Sequence, residues 1–133
     1  MPVTYSIDAD RKILHTICSG PVDLPEVVAH FQALRNDPAC IGRLDVLLDV
    51  SETKILPDSA QLGTVVAEVA AVRRKVEFGM CAVVATRDAM FGMMRMFEVL
   101  ASRYFRAIRV FRDIGEAKAW LTSPVDPGHH PHI

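Results

Sequence analysis

Four of the six methionines, Met90, Met93, Met94 and Met96, fall in one short stretch, with Phe91 and Phe97 interleaved. Thioethers and rings at that density can line a cavity for a small apolar molecule or form an adaptable contact surface, because methionine fills irregular space. On a helix, Met90, Met93, Phe97, Leu100 and Tyr104 make a core stripe, which leaves Met94, Met96 and Val99 on a second surface that a ligand or a second copy of the chain would cover. Met90, Met93, Met94, Met96 and Phe97 are therefore the candidate ligand or dimer surface. An ordinary buried helix is the plainer reading.

Other reactive side chains form weaker patterns. His129, His130 and His132 have a spacing that could take up a transition metal, but nothing beside them completes a site. A mobile tail explains them more simply, and no metal or cofactor is expected. His15 and His30 lie within apolar periodicity and read as satisfied, partly buried imidazoles. Cys18, Cys40 and Cys81 are odd in number and form no CxxC pair, so reduced, mostly buried thiols are expected. Asp49 closes an apolar strand in the manner of a receiver-domain phosphoacceptor, yet the acidic pair and lysine that would serve it are missing. There is no Gly-rich loop after a strand, no GxSxG and no HExxH, so no enzyme is expected.

These residues must be positioned by regular elements. Thr4 to Asp8 alternates and Lys12 to Cys18 is β-branched, with Ala9-Asp10-Arg11 between them as a hairpin loop. Asp23 and Glu26 then form a capping box that opens a helix whose apolar face is Leu24, Val27, Val28, Phe31 and Leu34, and Asn36-Asp37-Pro38 stops it. Leu44 to Val50 is an apolar run of strand length, as a central parallel strand requires, and Ser51 to Pro57 reads as a turn. Asp58 and Gln61 cap a second helix along Leu62, Val65, Val66, Val69 and Val72, which ends near Arg73-Arg74-Lys75 with basic groups at its negative end.

Phe78 to Thr86 is again a buried strand, Asp88 to Tyr104 is helical in spacing, and Ala107 to Arg112 suits an outer strand. Asp113 and Glu116 repeat the capping box before a last helix that ends at Thr122. The expected fold is α/β: a mixed five-stranded sheet, first strand antiparallel and the rest parallel, with four helices. Residues 1–122 form a single domain, and 123–133 are expected to be a flexible tail.

Composition narrows the partners. With 133 residues, one core is expected, and half of them are hydrophobic, which excludes general disorder. Fifteen basic against sixteen acidic side chains give a net charge of −1 and no global pull toward nucleic acid. No apolar run is long enough to insert into a membrane, and the first residues alternate as no signal peptide does, so a cytoplasmic protein is expected. Arg95, Arg103, Arg106, Arg109 and Arg112, with Arg73, Arg74 and Lys75, make the second half basic; solvated charge is the plainest role for them.

Val46 to Glu52 (VLLDVSE), followed by a helix opening at Asp58-Ser59-Ala60, together with Ile108 to Leu121 (IRVFRDIGEAKAWL), resembles the SpoIIAA-like branch of the STAS superfamily across roughly residues 3–122. In bacterial anti-sigma-factor antagonists of that superfamily, a serine in an Asp-Ser-Ser-Gly motif is phosphorylated to switch partners. Pro57-Asp58-Ser59-Ala60 lies over that motif with three of its residues changed, and Ser59 takes the phosphorylatable position beside Asp58. At the start of a helix a phosphate on Ser59 would meet free amides, although Asp58 would oppose it. A plain helix cap is the simpler role.

The resemblance implies a non-enzymatic regulatory module that binds a protein partner, and the apolar excess of Met94, Met96 and Val99 on the methionine-rich helix implies a homodimer. Lipid-exchange domains of the same fold imply the alternative, a carrier or sensor of a small apolar ligand near the methionine-rich helix.

Overall fold

A computed structural model describes residues 3–54 and 56–122. The His-rich tail lies outside the described residues. The chain forms β1 (Val3–Asp8), β2 (Ile13–Gly20), α1 (Leu24–Asn36), β3 (Gly42–Thr53), α2 (Ser59–Val72), β4 (Val76–Val84), α3 (Asp88–Leu100), β5 (Ala107–Phe111) and α4 (Ile114–Leu121). One five-stranded sheet runs in the order β1-β2-β3-β4-β5, with β1 antiparallel to β2 and every other pairing parallel. This is the α/β fold expected from the periodicities.

The unbroken strand order has a consequence for the layers. Three successive right-handed crossovers that all step the same way put α1, α2 and α3 on one face of the sheet. The main core lies there and joins Leu14, Val46 and Val83 of the sheet to Leu34, Leu62, Val69, Met90 and Phe97 of the helices. Only α4 follows the last strand, and it packs Ala117 and Leu121 on the opposite face against Leu47, Met80, Ala82, Val84 and Phe111. A doubly wound sheet holds ligands in the crevice where its strand order reverses. This order has no reversal, so space for a ligand must come from beneath the helices.

Two bulges shift the alternation of the strands. Register slips between Ile17 and Ser19 and between Leu44 and Val46. At the second, Phe78 and Cys81 both face the three-helix side, and Gly79 and Met80 take up the slack. The Asp45 carboxylate accepts the Met80 amide at 2.8 Å and stands where a Cβ on residue 79 would have to be. Glycine is required there by close approach and not by backbone conformation.

The caps follow the sequence with three differences. Asp23 and Asp58 each complete a reciprocal box with Glu26 and Gln61, and the Asp113 carboxylate accepts the Glu116 amide. The box expected at Asp113 is therefore one-sided, while α3 opens at Asp88 as expected, with Arg87 in the cap position making no side-chain bond. The helix expected to run to Tyr104 stops at Leu100, and Ser102–Tyr104 form a separate 3-10 turn. Residues 51 to 53, expected in a turn, extend β3 because they pair with Ser19 and Gly20 beyond the first bulge.

The expected basic end of α2 serves its neighbour. The Lys75 ammonium donates to the carbonyls of Leu34, Arg35 and Asp37 at 3.1, 2.9 and 2.6 Å, which caps the negative end of α1. The Tyr5 phenol donates to the Asp37 carboxylate at 2.6 Å from the β1 side. That bond and burial push the phenol up to about 12.

Candidate functional site

The two ends of α1 are held differently. Its C-terminal end carries the Lys75 and Tyr5 bonds and Leu34, its single fully buried residue. Leu24, Val27, Val28 and Phe31, expected on one buried face, are only half-buried. They are half-buried because the N-terminal half of α1 stands away from the sheet over a cavity of about 170 Å³, partly open to solvent.

The sheet supplies the floor, including Leu14, Thr16, Cys18, Leu48 and Val50. The walls are Leu24, Val27 and Phe31 of α1, Leu62 and Val65 of α2, and Met90, Met94 and Phe97 of α3. Nearly all of this surface is hydrocarbon or thioether, and no lysine or arginine contributes to it.

The methionine-rich helix divides differently from expectation. Met90, Met94, Phe97 and Ala101 are its buried stripe, at the spacing 4, 3, 4. Met94, expected on the second surface, therefore lines the cavity, whereas Leu100, expected in the core, is 44% exposed. The cause is the orientation of α3 over the sheet, which a stripe of nearly continuous apolar residues cannot specify. Met93 is half-buried; Met96 and Val99 remain outside at 43% and 73% exposure.

The polar groups of the lining are few. Thr16, on β2, is only 3% exposed, and its hydroxyl lies 3.4 Å from His30 Nε2 on α1. The Tyr5 and Phe31 rings meet the imidazole edge-on at 5.4 and 5.3 Å and hold its plane. Burial pushes His30 down to about 4, so it is neutral at physiological pH. Burial first, and the Asp49 charge second, pushes the Cys18 thiol up to about 11, which makes it a poor nucleophile. Cys40 and Cys81 are buried and free as well.

Thr16 and His30 were absent from the candidate residues. The signal lay in the spacing: Thr16 takes the inward position between Leu14 and Cys18, and His30 sits on the same helix face as Val27, Phe31 and Leu34. A polar residue at a position reserved for the core marks either a partner or a site.

Ser59 and Asp58 lie beside the cavity rim and not in it. Asp58 is the N-cap of α2, Ser59 is its first residue and exposed, and their neighbours Pro57 and Gln61 line the opening. His15 corrects an expectation. It faces the α4 side beside Lys118, and among the described residues its buried Nε2 has no hydrogen-bond partner, so no described group satisfies the imidazole there.

Much of the arginine-rich second half is held within the chain. Arg112 donates to Asp88 at 2.6 Å and lies over the Phe91 ring, Arg73 lies over Tyr104, Arg109 over Phe111, and Arg95 pairs with Glu98 at 3.3 Å. Among the described residues, no three His, Cys, Asp or Glu side chains group to hold a metal ion, and no helix is long and apolar enough to cross a membrane. No family model matches the chain, and no curated protein matches it.

Proposed function

We propose that the domain is a non-enzymatic carrier or sensor that binds a small, mainly apolar molecule between the sheet and α1, α2 and α3. The observation that carries this reading is the cavity itself. An apolar hollow of about 170 Å³ leaves hydrocarbon against water that packed side chains would have covered, and uncovered hydrocarbon forgoes stability. Side chains larger than those of Thr16, Cys18 or Val27 could have filled the space. A ligand that offsets the void explains why they have not. The resemblance to STAS domains agrees with this reading, because lipid-exchange domains of that fold hold apolar ligands.

Calorimetric titration with naphthalene, a neutral two-ring probe, tests it. Saturable binding at one site per chain is the expected result, accompanied by a rise in melting temperature. Absence of saturable binding, with no copurifying small molecule in native mass spectrometry, overturns it.

A second reading is supported by the row Met96, Val99 and Leu100, exposed together on α3. It is that of a regulatory module whose row contacts a second copy or another protein. The double substitution Met96→Glu with Val99→Glu should leave a folded monomer where the wild type sediments as a dimer. Met94 stands outside this row, because it is buried and a glutamate there would enter the core.

A further inference from the structure

We infer that the cavity selects a compact neutral molecule bearing one hydroxyl or carbonyl group, anchored between Thr16 and His30. This deepens the proposed ligand-binding function and rests on it. Most polar side chains of the lining are engaged within the fold or lie at its edge. Asp23 caps α1, where its carboxylate accepts the Glu26 amide at 3.0 Å. Gln61, at the opening, caps α2 through its Oε1, which accepts the Asp58 amide at 2.9 Å, and keeps its NH2 donors at the rim; the Cys81 thiol is buried. The Thr53 hydroxyl donates to the Cys18 carbonyl at 3.3 Å, and the Cys18 thiol stays protonated.

Thr16 and His30 are left with spare capacity. Their 3.4 Å separation is longer than the roughly 2.7–3.0 Å of a well-made bond. A threonine hydroxyl has one proton and two lone pairs, and a neutral imidazole has one donor and one acceptor nitrogen. A single ligand oxygen can therefore bond to this pair without displacing any bond that the fold needs.

Charge decides the class of ligand. No lysine or arginine lines the cavity, so a carboxylate or phosphate buried there would lack a counter-charge, and it would face the Asp23 carboxylate at the rim. An ammonium would find only Asp23, already held in its cap. Size sets the body of the ligand: an engineered apolar cavity of about 150 Å³ accepts a benzene ring, and this one, being partly open, accommodates a one- or two-ring molecule. Aromatic alcohols and ketones meet all three conditions.

Calorimetric titration of the full chain with naphthalene, 1-naphthol and 1-naphthoate separates the terms. Naphthol should bind about three- to tenfold more tightly than naphthalene, which is what one net hydrogen bond is worth, and naphthoate at least tenfold more weakly than naphthol. Thr16→Val should reduce naphthol to the level of naphthalene and leave naphthalene unchanged, and Thr16→Ser should retain the preference. If Thr16→Val does not fold, His30→Phe supplies the same comparison.

Equal affinity for naphthalene and naphthol, naphthoate as tight as naphthol, or a preference that survives loss of the Thr16 hydroxyl overturns the inference and leaves the cavity reading standing. If none of the three binds, the proposed function falls with it.

Discussion

The two faces of the sheet are covered in opposite ways. Three helices of 13, 14 and 13 residues lie over one face and leave an apolar cavity, while the single eight-residue α4 packs on the other and leaves beside it a more polar hollow of about 270 Å³ edged by Asp8, Arg11, His15 and Lys118. The difference lies in side-chain size and in helix approach. On the α4 side, Ala117 lets the helix come close, and Phe111, Trp120 and Leu121 fill the gap, with the Phe111 and Trp120 rings 5.5 Å apart. On the other side the floor sets the smaller Thr16, Cys18 and Val50 among Leu14 and Leu48, and the Lys75 and Tyr5 bonds hold α1 at its C-terminal end. Coverage by more helices does not make a tighter core. A face left short of volume is where a fold of this kind can hold something else.

The sharpest way to break this comparison is to truncate a side chain on each face. Phe111→Ala should cost about 3–5 kcal/mol, because the ring is buried and close packing around it prevents collapse. Leu24→Ala, at the lifted end of α1, should cost about 1 kcal/mol, since that side chain is half-exposed and already borders space. Urea unfolding of both variants measures the difference. Similar losses would mean that the two faces are packed alike.

Gly79 tests the bulge that sends Phe78 and Cys81 to the cavity side. A methyl group there would meet the Asp45 carboxylate, and moving that carboxylate would forfeit its bond to the Met80 amide. Gly79→Ala should therefore cost about 3 kcal/mol, as a buried clash together with a lost charge-assisted bond. The double variant Gly79→Ala with Asp45→Ala should recover part of the loss. If the single variant melts with the wild type, the close approach is not needed.

Acid should weaken the domain, through His30 on the cavity side and in the same direction through His15 on the α4 side. His30 titrates near 4 when folded, against its ordinary value of about 6.5, so between those values the unfolded chain takes up a proton that the folded chain does not. Stability is then complete above about pH 6.5 and falls as the pH drops toward 4, by on the order of 2–3 kcal/mol from this group. Burial shifts His15 in the same direction, with Lys118 adding to the effect and Asp49 opposing it. Urea midpoints measured from pH 7.5 to 4.5 should fall, and His30→Gln should flatten the dependence. A slope unchanged in His30→Gln would show that the imidazole is not held neutral by burial.

The sequence reveals these elements far better than it reveals the space between them. Capping residues such as Asp23 with Glu26 and Asp58 with Gln61 act within one turn, and strand runs such as Leu44 to Val50 declare themselves by composition, so the order and type of the elements were legible. Met94 and Leu100 were exchanged because a helix apolar around most of its circumference does not say which stripe faces inward. The lift of α1 was illegible for a related reason: it depends on Lys75 and Tyr5, 38 and 32 residues from Asp37. Amphipathic spacing predicts that a face is covered, not how closely.

The smallest expected effect would remove the contrast between the faces instead of disrupting either. Val27 points from α1 into the cavity, is half-buried and stands among residues with room to spare. Val27→Phe adds ring volume where the void is and, at a helical position, requires no change of backbone. Filling a cavity in this way typically adds about 1 kcal/mol of stability. The same ring would occupy the space assigned to the ligand, so Val27→Phe should melt higher than the ligand-free wild type and no longer bind naphthalene. Stability and binding would thus move in opposite directions, a result that mere damage to the fold cannot produce. A variant that is destabilised and yet still binds would place the probe elsewhere and show that the space under α1 is not where the domain holds its ligand.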